Sequence, residues 1–254
     1  MASKEAYGES LARRILTGAG SLNLVPYRID PAMSVPVIAH GLDGQGRLLV
    51  VCTADVAERL GDTPVRVDGV KKALEFDVDI TVASLHALAE LRWRDAAEEG
   101  SALGISLGEN LRVGVLEVDT VLLHGPHGVT RRPAGELLAA AGPGEITTRE
   151  IYAREQIARL SAHQLSSLLS NALVGMAPGV LLSEAKRQAC FPAGDSLWVV
   201  DIDHAGVVLL KVIDGRMYTV LVAFPEPVTT ISDLAGAVDA LASHTSVRHA
   251  SPRI

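Results

Sequence analysis

The C-terminal quarter of the chain restricts the possible folds more than any other region. Three short runs rich in Val and Ile, Leu197–Asp201, Gly206–Ile213 and Met217–Phe224, are separated by short turn sequences. Such runs suit the pleated, half-buried surface of a sheet, and the pair Asp214-Gly215 is typical of a β-hairpin turn. These residues therefore predict a three-stranded antiparallel meander.

Helical patterns lie on both sides of this meander. After it, Thr230 and Ser232 are suitable N-caps for a helix whose apolar residues recur at helical spacing. Before it, Thr147 and Glu150 have the spacing of a capping box, and a leucine-rich face continues to about residue 173. We therefore predict one long helix, the meander and a final helix, forming a small α+β domain over residues 147–243.

Residues 1–130 have a different pattern, in which strands dominate. A short N-terminal helix ends before Gly18, and a shorter one is predicted over Ala54–Leu60. Residues 131–144 are punctuated by Pro and Gly and predict a linker with a short helix. Many strands with few helical inserts favour an antiparallel barrel over parallel βαβ units. The predicted strands are 21–27, 33–40, 47–53, 64–70, 80–93 and 111–123.

Composition excludes several classes of function. The 254 residues are 48% hydrophobic and carry a net charge of −7, with a pI near 5.6. An acidic protein lacks the basic face that nucleic acid and anionic membrane surfaces require. No apolar stretch is long enough to span a bilayer, and the charged N-terminus is unlike a secretory signal. Cys52 and Cys190 are interpreted as buried reduced thiols, so we expect a cytoplasmic protein.

The sequence lacks the motifs of several common enzyme classes. The sequence has no phosphate-binding loop, no dinucleotide fingerprint, no zinc-protease motif, no Cys-x-x-Cys and no serine nucleophile elbow. Nucleotide hydrolysis, hydride transfer on a Rossmann fold, zinc hydrolysis and serine hydrolysis therefore lose support.

The order of the patterns resembles the haem iron-utilisation family. The segment Leu11–Leu16 leading to 20–24, followed by 36–39 and 46–50, resembles the opening of its split β-barrel, which is of the FMN-binding, pyridoxamine 5'-phosphate oxidase-like kind. Residues 151–243 resemble its C-terminal small domain. The resemblance implies an α+β fold, in which an antiparallel split β-barrel precedes a helix–three-stranded meander–helix domain. It also implies a homodimer.

The same resemblance implies a haem-binding protein of haem utilisation, with oxidative degradation of the haem as a further expected activity. Two alternatives stay open. One is an FMN-dependent oxidoreductase of the split-barrel class, and the other is a binding or regulatory module without catalysis. The expected partner is thus a tetrapyrrole or a flavin. FMN has less support. Split-barrel flavoproteins typically hold the flavin phosphate with an Arg of the second strand, which the strand predicted here lacks. The segment after the third strand offers Thr53 and Arg59 but also carries the carboxylates of Asp55 and Glu58, which would repel a phosphate.

His163 is the histidine that the resemblance selects as iron ligand. The first helix of the small domain opens with a His-x-Asn-x-Asp-His-like run in that family, and here only the last histidine survives, after Leu160-Ser161-Ala162. A helical wheel places His163 away from the leucine face, on the same side as Arg159. A neutral imidazole can ligate haem iron, and Arg159 could pair with a propionate. A solvated surface histidine is the alternative interpretation.

The C-terminal tail offers a second set of candidates. His244, Arg248 and His249 lie within the last eleven residues. Some members of the resembled family fold a C-terminal loop over the haem, which would place an imidazole on iron and Arg248 on a propionate. An ordinary free terminus is the alternative.

The remaining histidines are given structural interpretations. His124 and His127 are three residues apart in a glycine-rich segment that predicts a hairpin tip, and no carboxylate lies nearby in sequence to complete a metal site. His40 and His86 are predicted to be strand residues, and His204 lies in a turn.

Overall fold

The computed structural model describes residues 3–75, 78–94, 103, 108–139, 144–187, 196–243 and 245. These residues form two compact units. One, here called the half-barrel unit, contains the described residues of 5–72 and 81–143, and the other, the α+β unit, contains those of 1–4, 73–80 and 144–254. Within the described ranges, no helix has both the length and the apolar character needed to cross a membrane.

The half-barrel unit is built on one antiparallel sheet. Its helices are α1 (Lys4–Leu16), α2 (Ala54–Leu60) and α3 (Ala134–Ala139), and its strands are β1 (Ser21–Val25), β2 (Val35–Pro36), β3 (Ala39–Leu42), β4 (Leu48–Thr53), β5 (Thr63–Lys72), β6 (Thr81–Arg94), β7 (Leu111–Gly125) and β8 (Gly128–Pro133). The described strands lie in the order β2-β1-β5-β6-β7-β4-β3, and β8 pairs with β7.

Strict alternation along the central strands gives this sheet two different faces. On β5, Val65 and Val67 are fully buried, whereas Arg66 and Asp68 point to the opposite, accessible side. On the buried face, Ile15 of α1 packs at Gly69, where an added Cβ would lie 2.9 Å from the Ile15 side chain. Because side chains alternate across a strand, burying one face fixes which residues form the other. We call the accessible side the outer face.

The α+β unit has its own sheet and core. Its helices are α4 (Glu145–Thr148), α5 (Glu150–Ile157), α6 (Ala162–Leu173) and α7 (Ile231–Ser243), and its strands are β9 (Gly179–Lys186), β10 (Leu197–Asp203), β11 (Gly206–Ile213) and β12 (Arg216–Ala223). The strands are antiparallel in the order β10-β11-β12-β9. Leu168 and Leu169 of α6 and Leu234 and Val238 of α7 share one apolar cluster with Leu209 of the sheet.

The meander is confirmed, but the sheet that contains it has a fourth strand. Strand β9 pairs with β12 at the sheet edge, and of its residues only Leu182 is buried. A strand with so little buried apolar surface has a weak sequence pattern, which is why it was not predicted. The final helix is confirmed too, and the Thr230 hydroxyl accepts a hydrogen bond from the Asp233 amide at its start.

The single long helix predicted from Thr147 is wrong. Three helices occupy this stretch, and a break at 158–161 separates α5 from α6. Ser161 caps α6 in a complete capping box, in which its hydroxyl accepts from the Gln164 amide while the Gln164 side chain accepts from the Ser161 amide. This local hydrogen bonding begins a new helix even though Leu160 and Leu165 preserve the apolar periodicity.

Two details of the half-barrel unit differ from the predictions. The second predicted strand is split into β2 and β3, and the chain after the hairpin tip continues as strand β8 before α3 begins, so residues 131–133 are not linker. Helix α2 and the strand β6 are confirmed. Cys52 is a buried free thiol, and burial raises its pKa to about 11. Cys190 lies outside the described residues.

Candidate functional site

A row of four polar side chains and one leucine crosses the outer face of the half-barrel sheet. The strand registers pair Asn23 with Asp68, Asp68 with His86, His86 with Leu122, and Leu122 with Arg131. Directly paired residues of antiparallel strands point to the same face. These five residues, which we call the His86 row, therefore lie side by side across β1, β5, β6, β7 and β8.

The closest contact in the His86 row joins an imidazole to a carboxylate. His86 Nδ1 lies 2.7 Å from Asp68 Oδ1, and both side chains are partly accessible. An ionised carboxylate only accepts hydrogen bonds, so Nδ1 of His86 is the donor. The neutral ring then has its lone pair on Nε2. A carboxylate that fixes the tautomer and orientation in this way is the usual support of a metal-ligating histidine.

Arg66 keeps the Asp68 carboxylate in place. Its guanidinium donates to both oxygens, with Nε 2.9 Å from Oδ1 and Nη2 2.8 Å from Oδ2. Partial burial of Asp68 favours the neutral acid, but the hydrogen bonds from Arg66 and His86 outweigh this and lower its pKa. Asp68 is therefore ionised at neutral pH, which favours the tautomer described above.

A second imidazole lies beside the first. His124 is on β7 opposite Ser84, two residues along the strand from Leu122 of the His86 row and therefore on the same face. The ring centroids of His86 and His124 are 5.5 Å apart in an edge-on arrangement. His124 makes no hydrogen bond to a carboxylate within the described part of the chain, so of the two rings only His86 has its tautomer fixed by an acid.

Three apolar side chains lie next to these imidazoles on the outer face. Leu88, on the same face two residues beyond His86, is 59% exposed, and Val129, paired with His124, is 63% exposed. Leu122 of the His86 row is partly exposed as well. Large apolar groups that gather on an accessible face commonly mark a binding surface. This face therefore joins apolar contact area to two imidazoles.

Arg131 supplies a cation at one end of the His86 row. Its side chain is exposed and forms no ion pair with any residue that the structure describes. It is two strands away from His86, about 10 Å at the usual spacing of roughly 4.8 Å between strands. An anionic group on a ligand above His86 would thus find an available guanidinium.

The donor set is incomplete for a bare metal ion. Among the described residues, no three His, Cys, Asp or Glu side chains are grouped so that they could hold one. Structural zinc sites use four protein ligands and catalytic ones three. Haem differs, because the porphyrin fills four coordination positions and the protein needs to add only one or two. The His86 row fits a haem iron better than a free ion.

The residues predicted around His163 are less organised. His163 is exposed in the first turn of α6 and has no hydrogen-bond partner among the described residues. Nearby, Arg159 is exposed and pairs with Asp239, its Nη2 lying 3.0 Å from Oδ1. A propionate would therefore compete with Asp239 for Arg159. His244, Arg248 and His249 of the predicted tail site lie outside the described residues.

Other histidines have structural partners. The hairpin tip predicted at residues 124–128 is confirmed, and there the ring of His127 bonds to the Thr130 hydroxyl at 2.9 Å and stacks edge-on against Tyr7. His40 Nε2 donates to the Ile15 carbonyl at 2.7 Å. Burial lowers the pKa of His40, and this hydrogen bond only partly opposes the effect. Both rings are anchored within the half-barrel unit.

Sequence reasoning missed His86 because its partners are remote along the chain. Asp68 is 18 residues before it and His124 is 38 residues after it. The sequence shows alternation in β5, β6 and β7, which indicates that each of these residues points away from the core. Only the register of the three strands brings them together.

Comparison with known proteins supports the fold. No family model matches the sequence, and neither does any curated protein. Among solved structures, the chain is similar to a haem-binding protein from Mycobacterium smegmatis, with a TM-score of 0.54 and 17% identity over 96% of this chain and 98% of that one. The likeness defines the chain as an α+β protein of the split-barrel class, as the sequence predicted.

Two other solved structures are more distantly similar. A general stress FMN/FAD-binding protein from Xanthomonas citri covers 46% of this chain and 88% of its own, with 16% identity and a TM-score of 0.34. A protein of unknown function from Agrobacterium tumefaciens covers 95% of this chain and 98% of its own, with 13% identity and a TM-score of 0.33. Both likenesses are too weak to bear on fold or function.

Proposed function

We propose that this protein binds haem. The observation that carries the proposal is the likeness over nearly the whole chain to a structure described as a haem-binding protein. The chain itself supports it with an outer face that combines imidazoles, exposed Leu and Val, and an available arginine. Bound haem would supply the redox-active iron, while the protein would supply ligand, orientation and apolar cover.

Titration of the purified protein with haemin tests this proposal. We expect a shifted and sharpened Soret band that saturates at one haem per protomer and stays with the protein through gel filtration. A Soret band that remains that of free haemin, or haem that separates from the protein on the column, would refute the proposal. Serum albumin at the same concentration is a control for the mass balance of haem on the column.

The resemblance found in the sequence extends the proposal in two ways. We include oxidative degradation of the bound haem, which is followed as loss of the Soret band after addition of ascorbate in air. We also include a homodimer, for which light scattering of the same sample would give about twice the protomer mass of 26.7 kDa. The sequence-based ligands His163 and Arg159, together with the tail residues, stay part of this proposal.

FMN is the second candidate ligand that the sequence left open, and the local structure argues against it. The Thr53 hydroxyl, expected to hold the flavin phosphate, hydrogen-bonds to the Asp55 carboxylate and thereby lowers the pKa of Asp55. An ionised carboxylate on this hydroxyl opposes a phosphate there. Flavin absorbance in the protein as purified would favour this candidate over haem.

A further inference from the structure

We propose that His86, oriented by Asp68, is the residue that ligates the haem iron on the outer face of the half-barrel sheet. This inference rests on the proposed haem binding and adds the position of the site. This position, chosen by the geometry of the folded chain, is an alternative to the one around His163 and the tail that sequence resemblance implies.

Nε2 is the ring nitrogen of His86 that is available to a ligand. The carboxylate of Asp68 accepts a hydrogen bond from Nδ1 of His86 at 2.7 Å, and Nε2 has no hydrogen-bond partner among the described residues. A neutral imidazole with an unshared pair on Nε2 is the form that binds iron. The hydrogen bond to Asp68 also fixes the orientation of the ring, as the outer partners of ligating histidines do.

His86 has a neighbouring imidazole, but the two rings are not held in the same way. His86 and His124 project from the same side of the sheet with centroids 5.5 Å apart. A haem bound over this face would take one protein ligand from it, so His86 and His124 are alternatives for that role. His86 is favoured because its ring is held by Asp68, whereas that of His124 has no such carboxylate partner in the described chain.

Two leucines and an arginine lie near His86 on the outer face. Leu122 is the direct cross-strand neighbour of His86, and Leu88 lies two residues away on the same face. Exposed apolar side chains at these positions gain from being covered by an apolar ring. Arg131, beyond Leu122 in the same row, is placed to pair with a carboxylate at the ring edge.

The experiment compares haemin titrations of the full chain and four single variants, His86→Ala, His124→Ala, His163→Ala and His204→Ala. Circular dichroism and thermal melting first establish that each variant is folded. We expect His86→Ala to lose the histidine-ligated Soret spectrum and at least tenfold in affinity. His204→Ala is the control, since it removes a partly exposed turn histidine of the other unit, and it should change affinity less than threefold. His124→Ala removes a ring from the same face and should retain the histidine-ligated spectrum.

The outcomes separate this inference from the proposed function. If the wild-type protein fails to bind haemin, the proposed function falls, and the inference falls with it. If the wild-type protein binds and His86→Ala keeps both the spectrum and the affinity, only the inference is overturned. Loss of the ligated spectrum in His163→Ala with retention in His86→Ala would assign the iron to the residue that the sequence predicted.

A second variant tests the role of Asp68 through the midpoint potential of the bound haem, which simple misfolding would not raise. Asp68→Asn keeps the shape of the side chain but removes its negative charge. The His86 ring then becomes a weaker donor to ferric iron, so the midpoint potential of the bound haem should rise while histidine ligation is retained. An unchanged or lower potential in a folded, haem-bound Asp68→Asn protein would contradict the inference.

Discussion

The two units of this protein present histidines in different settings. In the half-barrel unit, His86 is fixed by Asp68 and lies beside exposed Leu and Val side chains. In the α+β unit, His163 is exposed on a helix without a described partner, and its neighbour Arg159 is bound to Asp239. The comparison teaches that a histidine selected by position in a sequence motif and one selected by its environment need not be the same residue.

The two units also differ in whether their arginines are already engaged in ion pairs. In the α+β unit, Arg154 pairs with Glu75 at 2.7 Å and Arg216 pairs with Glu184 at 2.8 Å. In the half-barrel unit, Arg66 is also engaged, but by the carboxylate that supports His86. Arg131 on the same face is available. A ligand with carboxylates therefore finds a cation on the outer face without having to break an existing ion pair.

The largest expected effect comes from truncating one buried leucine in each of the two units. Leu85 is the inward neighbour of His86 on β6, and Leu209 lies in the core of the α+β unit; both are fully buried. Leu85→Ala and Leu209→Ala should each lower the free energy of unfolding by about 3 kcal/mol. Only Leu85→Ala should also weaken haemin binding under native conditions, because it loosens the strand that carries His86.

Urea unfolding and haemin titration of these two variants measure both quantities. The comparison between the units would fail if Leu209→Ala reduced haemin affinity more than Leu85→Ala did. Equal stability losses with unequal affinities would locate the ligand on the half-barrel unit without altering any residue of the site itself.

The next effect concerns the tail predicted from sequence. If the haem occupies the site that the sequence resemblance implies, deleting residues 244–254, which carry His244, Arg248 and His249, should weaken haem affinity by about tenfold or more, at least about 1.4 kcal/mol. If the haem lies on the His86 row, the deletion should leave the affinity unchanged. A propionate in a partly buried groove of an acidic protein is costly to leave unpaired, and Arg248 would lose that contact. Folding should be nearly unaffected, as judged by the midpoint of thermal unfolding. Unchanged affinity would show the tail to be passive, and an unfolded protein would show it to be structural.

The smallest expected effect is a pH dependence of stability that arises from His40 of the half-barrel unit. His40 is held by a backbone carbonyl, and burial lowers its pKa. Below the unfolded-state value of about 6.5, the unfolded chain binds a proton that the folded chain excludes. The free energy of unfolding should therefore fall as pH decreases from about 6.5 toward the lower pKa of the folded state.

Urea unfolding of the wild-type protein and His40→Gln at several pH values measures this slope. His40→Gln should flatten the pH dependence in that window, while His86→Gln serves as the partly exposed control. If the wild-type and His40→Gln curves run parallel, the buried imidazole does not contribute to acid sensitivity.

Local sequence determined much of the secondary structure of this chain. Asp214-Gly215 fixed the turn between β11 and β12, with Asp214 in the left-handed region at φ 48°. Thr230 marked the start of α7, and the residues 54–60 formed the predicted short helix. These features follow from interactions between residues a few positions apart, so a single sequence is enough to reveal them.

The break before α6 was also present in the sequence but was outweighed there by another pattern. Ser161 and Gln164 have the spacing of a capping box, while the leucines on either side keep helical periodicity across the break. Two local signals conflicted, and the folded chain follows the hydrogen bonds of the cap.

Tertiary structure alone decided the edge strand β9 and the candidate site. Strand β9 exists because its backbone completes hydrogen bonds with β12, to which its own side chains add little burial. Asp68, His86 and His124 meet because β5, β6 and β7 pair in one register, and a slip of one residue would turn His86 toward the core. Register depends on contacts across the whole sheet, so the sequence could show that these side chains point outward but not that they meet.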